Sequence, residues 1–88
     1  MKKIKLSGRE IAVLRAIDFS LGTLGGEIME RTHIERGELI DILNGLLDAG
    51  YIETNPALLR VDYGELEETV FEVNPSYALD LKEVTKRH

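Results

Sequence analysis

Residues 35–54 read ERGELIDILNGLLDAGYIET. Leu39, Leu43 and Leu46 recur at helical spacing, flanked by Ile42 on one side and by Leu47 and Ile40 on the other. At about 100° per residue these six side chains span an arc of roughly 160°, the width of a face that packs on a core. Gly50 supplies the left-handed residue that commonly ends a helix, and Tyr51 and Ile52 begin a strand. The other side of this helix is acidic. Asp41 and Asp48 sit opposite the apolar arc, with Glu38 and Gly45 on one flank and Asn44 on the other. Arg36, at the start, is its one cation. The apolar arc decides the fold, and the acidic side poses the functional question.

The charge of the whole chain sharpens that question. Net charge is −5 over 88 residues, which disfavours nonspecific binding to nucleic acid or to anionic membranes. Between Glu35 and Glu72 the only basic residues are Arg36 and Arg60. Against them stand Glu35, Glu38, Asp41, Asp48, Glu53, Asp62, Glu65, Glu67, Glu68 and Glu72, a net −8 for the segment. The remainder is +3, with Lys2, Lys3 and Lys5 at one end and Lys82, Lys86 and Arg87 at the other. There is no Cys, which excludes disulfides, thiolate catalysis and Cys-type zinc sites. No apolar run approaches the ~18 residues of a membrane helix. The start MKKIKLSGRE has the charge of a signal peptide without its apolar region. The expected compartment is the cytoplasm, with no membrane partner.

Outward from the central helix the chain divides into recognisable elements. Ser7 and Glu10 of SGRE form an S-x-x-E capping box, and Ile11, Leu14 and Ile17, with Val13 on the flank, make one side of a first helix core-facing. DFSLG ends that helix at Gly22. A short second helix follows in TLGGEIMERT, with Glu27 in its first turn and Ile28 and Met29 inward; it stops near Thr32 and His33. Beyond Ile52, ALLRVDY and TVFEV are rich in strand-favouring residues around a charged, turn-like GELEE. Asn74-Pro75 reads as an N-cap and first helical position. Tyr77, Ala78, Leu81 and Val84 fit a final helix, while Tyr77, Leu79 and Leu81 fit a strand nearly as well.

LSGREIAVLRAI, GTLGGEIMERTHI and ERGELIDILNGLLDAGYIE, in that order, resemble the winged helix-turn-helix, and small transcription regulators of the multiple-antibiotic-resistance-regulator type are similar through this region. The resemblance covers about residues 6 to 54, with 55 to 74 as the wing. It implies an α+β domain of three helices, a β-hairpin wing and a C-terminal helix or strand. The single domain spans 1–88, with the helix-turn-helix at about 24–50, the wing at about 51–74 and a terminal segment at 75–88. In DNA-binding members the third helix enters the major groove and cations hold phosphates. Carried over, those positions are Arg36, Gly37, Glu38, Ile40, Asp41 and Gly45. Arg36 fits. Gly37 and Gly45 are empty, Ile40 is apolar, and Glu38 and Asp41 have the wrong sign. At the wing tip, Glu65, Glu67 and Glu68 would face phosphates.

Because fold alone does not carry function, the surface decides the expectation. It is a non-enzymatic regulatory module working by protein–protein contact through the acidic third helix and wing, with Glu38, Ile40, Asp41 and Asp48 as contact residues. The alternative is a regulator of double-stranded DNA using Arg36, Lys2, Lys3, Lys5 and Arg60. An acidic antitoxin-like or DNA-mimicking protein is the third reading, and a merely solvated helix face is the plainest account of the acids. The terminal segment is expected to hold a homodimer through Tyr77, Leu81 and Val84. No metal or cofactor is expected: His33 lacks any H-E-x-x-H partner and suits a turn with positive φ. GTLGGE lacks the Lys-Ser or Lys-Thr of a phosphate loop, so Gly25 and Gly26 are expected to ease entry into the second helix. Ser7, Ser20 and Ser76 have no adjacent base.

Overall fold

A computed structural model describes residues 4–86 as four helices and a three-stranded antiparallel sheet, an α+β arrangement. The capping box closes as expected. Ser7 Oγ accepts the Glu10 N–H at 3.2 Å and Glu10 Oε1 accepts the Ser7 N–H at 2.8 Å, starting α1 (Gly8–Arg15). After α1 the carboxylate of Asp18 accepts the N–H groups of Ser20 and Leu21, and Gly22 adopts a φ of 80°. This tight turn leads into β1 (Thr23–Leu24), a two-residue strand that sequence periodicity cannot resolve, and then into α2 (Gly25–Thr32).

His33 ends α2 in the left-handed region at φ 57°, where its N–H reaches the Met29 carbonyl. The α2–α3 turn thus places a histidine where glycine is the easier choice. Glu35 then caps α3 (Arg36–Asp48), accepting from Gly37 and Glu38 N–H at 3.0 and 3.1 Å. Gly50 closes the helix at φ 82°. Leu39, Leu43 and Leu46 are buried, and Leu43 is fully inaccessible, packed with Val13, Leu14, Ile28, Phe71 and Leu81 in one core cluster.

The sheet corrects the expectation for the segment after Tyr51. β2 is Ile52–Asn55 and β3 is Val70–Val73, whereas ALLRVDY, expected as a strand, is irregular. Pro56 has no N–H to continue the ladder. Thr54 Oγ1 instead ties the turn, donating to the Pro56 carbonyl at 2.9 Å and accepting the Leu58 N–H at 2.6 Å. Residues 56–69, here called the arm, run back across α3. They end in a 3-10 turn, Leu66–Glu68, whose Leu66 is fully buried. The strand order is β1-β3-β2, so β3 is central and β2 lies at an edge. Ile52 pairs with Val73, Glu53 with Glu72, Thr54 with Phe71 and Asn55 with Val70. Ile52, Thr54, Phe71 and Val73 are buried, and Glu53 and Asn55 are exposed.

The terminal segment resolves as helical: a 3-10 turn at Pro75–Tyr77, capped by Asn74, runs into α4 (Ala78–Lys86). Leu81 on α4 is fully buried in the core cluster alongside Val13 and Leu14 of α1. That corrects its expected place on a dimer contact, because the side chain is spent inside the protomer. Tyr77 is half-buried, with its ring edge-on to Tyr51 at 5.1 Å, and Val84 is half-buried. The large exposed apolar side chain of α4 is Leu79.

Candidate protein-contact surface

The outward part of α3 divides into two stripes, one occupied by the arm and one left open. The occupied stripe is Arg36, Ile40 and Asn44, spaced four residues apart and therefore stacked along one side. At one end, Arg36 Nη1 donates to the Tyr63 carbonyl at 3.2 Å and Nη2 pairs with Glu67 at 3.2 Å. The guanidinium also lies 5.2 Å from the Tyr63 ring centroid, within cation–π range. At the other end, Asn44 Nδ2 donates to the Val61 carbonyl at 3.2 Å and Asn44 Oδ1 accepts the Val61 N–H at 2.8 Å, both in a buried setting. Ile40 lies between these clasps, half-buried against the core. Its apolar character is thereby explained by packing.

The open stripe is Asp41, Gly45 and Asp48. Asp41 and Asp48 are exposed, neither makes an ion pair among the described residues, and open space lies over Gly45. Glu38 is different, since its carboxylate meets Arg9 of α1 at 3.0 Å with both side chains well exposed. A pair in that setting contributes little stability, yet it offsets part of the acidic charge. Arg36 is the only cation of α3, and its side chain is 24% accessible.

Of the other residues singled out in the sequence, Arg60 is exposed on the arm and Lys5 is exposed ahead of α1. Lys2 and Lys3 lie outside the described residues. His33 is exposed in its turn. Among the described residues no group of three His, Asp or Glu side chains could hold a metal ion, and no helix is long and apolar enough to cross a membrane. Glu35 has a carboxyl held below the usual carboxylate range, chiefly by the Gly37 and then the Glu38 N–H it accepts. The same device, with Leu21 and Ser20 as donors, lowers Asp18. Both groups stay ionised at neutral pH, so α3 begins on a negative charge.

Sequence reasoning missed the clasp at Asn44. The signal that could have found it is an amide in mid-helix, where Asn is a poor helix former, next to an apolar arc that a neighbouring chain could extend. Replacing Asn44 by Ala removes both partners of a buried Val61 backbone unit, which is costly because neither group regains water without movement. Asn44→Ala is therefore expected to loosen the arm locally. Native-state hydrogen exchange should show the Val61 amide losing protection while Leu43 and Phe71 keep theirs. Unchanged protection at Val61 would rule out the clasp.

No known family model, curated protein or solved structure matches the chain.

Proposed function

We propose that this chain is a winged-helix regulatory module, non-enzymatic, that works through protein–protein contact. The order of helix, short helix, longer helix, strand, arm and returning strand supports the winged-helix assignment, with α2 and α3 as the helix-turn-helix and 51–74 as the wing. One observation carries the contact reading. The single cation of α3 is turned onto the chain's own Tyr63 and Glu67, while the stripe left open carries Asp41 and Asp48. A helix lying in a DNA groove must offer cations to phosphates, and affinity rests on several such contacts. Freeing Arg36 for a phosphate would break its ion pair and leave Glu67 beside the same backbone. An open acidic stripe suits a basic protein surface.

The test is an NMR titration of the labelled chain with mixed-sequence duplex DNA, at low salt and again at about 0.15 M ionic strength. The expected result at low salt is a small set of shifts near Lys5 to Arg9 and at the Lys82 end, fading as salt rises. Saturable shifts on residues 36–45 that persist at the higher salt would overturn the proposal in favour of duplex recognition. Arg36 and Arg60 would then be the first residues to substitute.

A further inference from the structure

β2 forms one edge of the sheet, and no strand among the described residues pairs with its far side. An open groove of about 750 Å³ lies along it. It is lined by Ile52, Glu53 and Thr54 of β2, by residues 57–60 of the arm, by Leu47 and Asp48 at the end of α3, and by Gly50 and Asn74. Three features set this groove apart from an ordinary surface depression.

The first is apolar exposure. Leu59 is 91% exposed and Leu58 36%, two adjacent large apolar residues of the lining, and Leu47 at the end of α3 is half-buried. The second is the free edge itself. A strand edge with no ladder partner offers N–H and C=O groups to an extended chain. The third is charge. Glu53 stands directly opposite Glu72 on the neighbouring strand, and like charges facing each other across a ladder are unfavourable. Neither makes an ion pair among the described residues, nor does Asp48 at the groove's end. Among the described residues Arg60 is the one cation lining the groove.

We infer that this groove takes an extended peptide segment of a partner protein, with alternating basic and apolar residues, added along the free edge of β2. This rests on the protein-contact reading and names the class of partner. In an extended segment successive side chains point to opposite faces. One set packs against Leu58, Leu59 and Leu47 while the other meets Glu53 and Asp48. Main-chain hydrogen bonds to the edge supply affinity and the alternating side chains supply selectivity. An acidic segment would meet two carboxylates, Glu53 and Asp48, against one guanidinium. A second copy of this chain is opposed on the same ground, since isologous pairing of two β2 edges brings two like-charged strands together.

The experiment titrates the labelled full chain with a capped KVKLKV peptide at about 0.15 M ionic strength, with EVELEV as the counter-probe. Saturable amide shifts are expected at 50–55 and 57–60 with KVKLKV alone. Glu53→Lys and Leu59→Asp each alter an exposed side chain, so the fold should persist, and each should weaken binding about tenfold or more. The inference is overturned by equal binding of EVELEV, by affinity unchanged in both variants, by shifts centred on Asp41 and Gly45, or by the absence of saturable shifts at millimolar peptide. Shifts of the β2 amides with protein concentration alone would assign the edge to a second copy and overturn it too. The duplex titration judges the underlying reading separately. A chain that ignores both duplex and KVKLKV loses this inference and keeps that reading, whereas saturable duplex binding on 36–45 removes the reading itself.

Discussion

A Leu43→Ala variant is expected to lose about 2–5 kcal/mol of stability, the cost of a buried Leu side chain plus the cavity left behind. Leu43 is fully inaccessible and lies in the cluster that joins α1, α2, α3, the sheet and α4, so no single neighbour can relax into the space without leaving another. At roughly 0.05–0.15 kcal/mol per residue, a chain of this size has little beyond that to lose. For a domain of this length each kcal/mol lowers the melting temperature by roughly 4–8 °C. The variant should melt well below the parent in thermal denaturation and be substantially unfolded near body temperature. The comparison is Asp41→Ala, an exposed change on the same helix expected to stay within about 0.5 kcal/mol. Equal melting of Leu43→Ala and parent would mean that α3 does not present this face to the core.

Two glycine substitutions should move stability in opposite directions. A Cβ added at Gly25 would overlap the backbone carbonyl of Leu66, where the 3-10 turn of the arm sits on the first residue of α2. Gly25 N–H also donates to the Thr69 carbonyl at 2.9 Å. Because the opposing atom is main chain, it cannot swing away as a side-chain tip would. Relief requires the arm or the start of α2 to shift, withdrawing Leu66 from its fully buried site. Gly25→Ala is therefore expected to cost about 3 kcal/mol or more, at the upper end of overpacking effects. Gly45 is the reverse case: it is exposed in the interior of α3, and a Cβ there meets nothing within 4 Å among the described residues. Gly45→Ala should gain roughly 0.5–1 kcal/mol from helix propensity and a less flexible unfolded chain. Urea denaturation of the two variants beside the parent reads both effects. A neutral Gly25→Ala would show that the arm does not approach α2 this closely.

Those glycines also mark how far local pattern reaches. Gly25 and Gly26 look from the sequence like residues that ease a helix start. Gly25 is in fact a contact point for a turn more than forty residues away in the chain, and no periodicity carries that information. The same holds for ALLRVDY, whose composition favours a strand. Pro56 and Thr54 turn the chain before the strand can extend, and Val61 gives its backbone hydrogen bonds to Asn44 of α3. β propensity describes fit to a half-buried pleated surface, and a helix side chain supplied the competing partner. In the terminal segment the apolar spacing fits a helix and a strand nearly equally. Burial of Leu81 against α1 supports the helix, and the capping Asn74 with Pro75 starts it.

The candidate surface was legible by sign and not by availability. The excess of acids from Glu35 to Glu72 is a property of composition, and the placement of Asp41 and Asp48 opposite the apolar arc follows from helical periodicity. Which charges remain free depends on what crosses the helix. Arg36 and Glu67 are 31 positions apart, and Arg9 and Glu38 are 29 apart; each pair exists because packing brings two elements together.

By itself, the sequence determined the elements whose signals are local: the capping box at Ser7, the apolar arc of α3, the left-handed ends at His33 and Gly50, and the acidity of the middle of the chain. These depend on residues within a turn or two of each other, where spacing and side-chain chemistry are sufficient. Only the tertiary structure decided that the arm lies on α3, that Arg36 and Asn44 are clasped there, that Leu81 belongs to the protomer's own core, and that β2 is left as an open edge beside Leu58 and Leu59. Those outcomes follow from which of several competing partners each buried polar or apolar group meets, and that competition is settled in space.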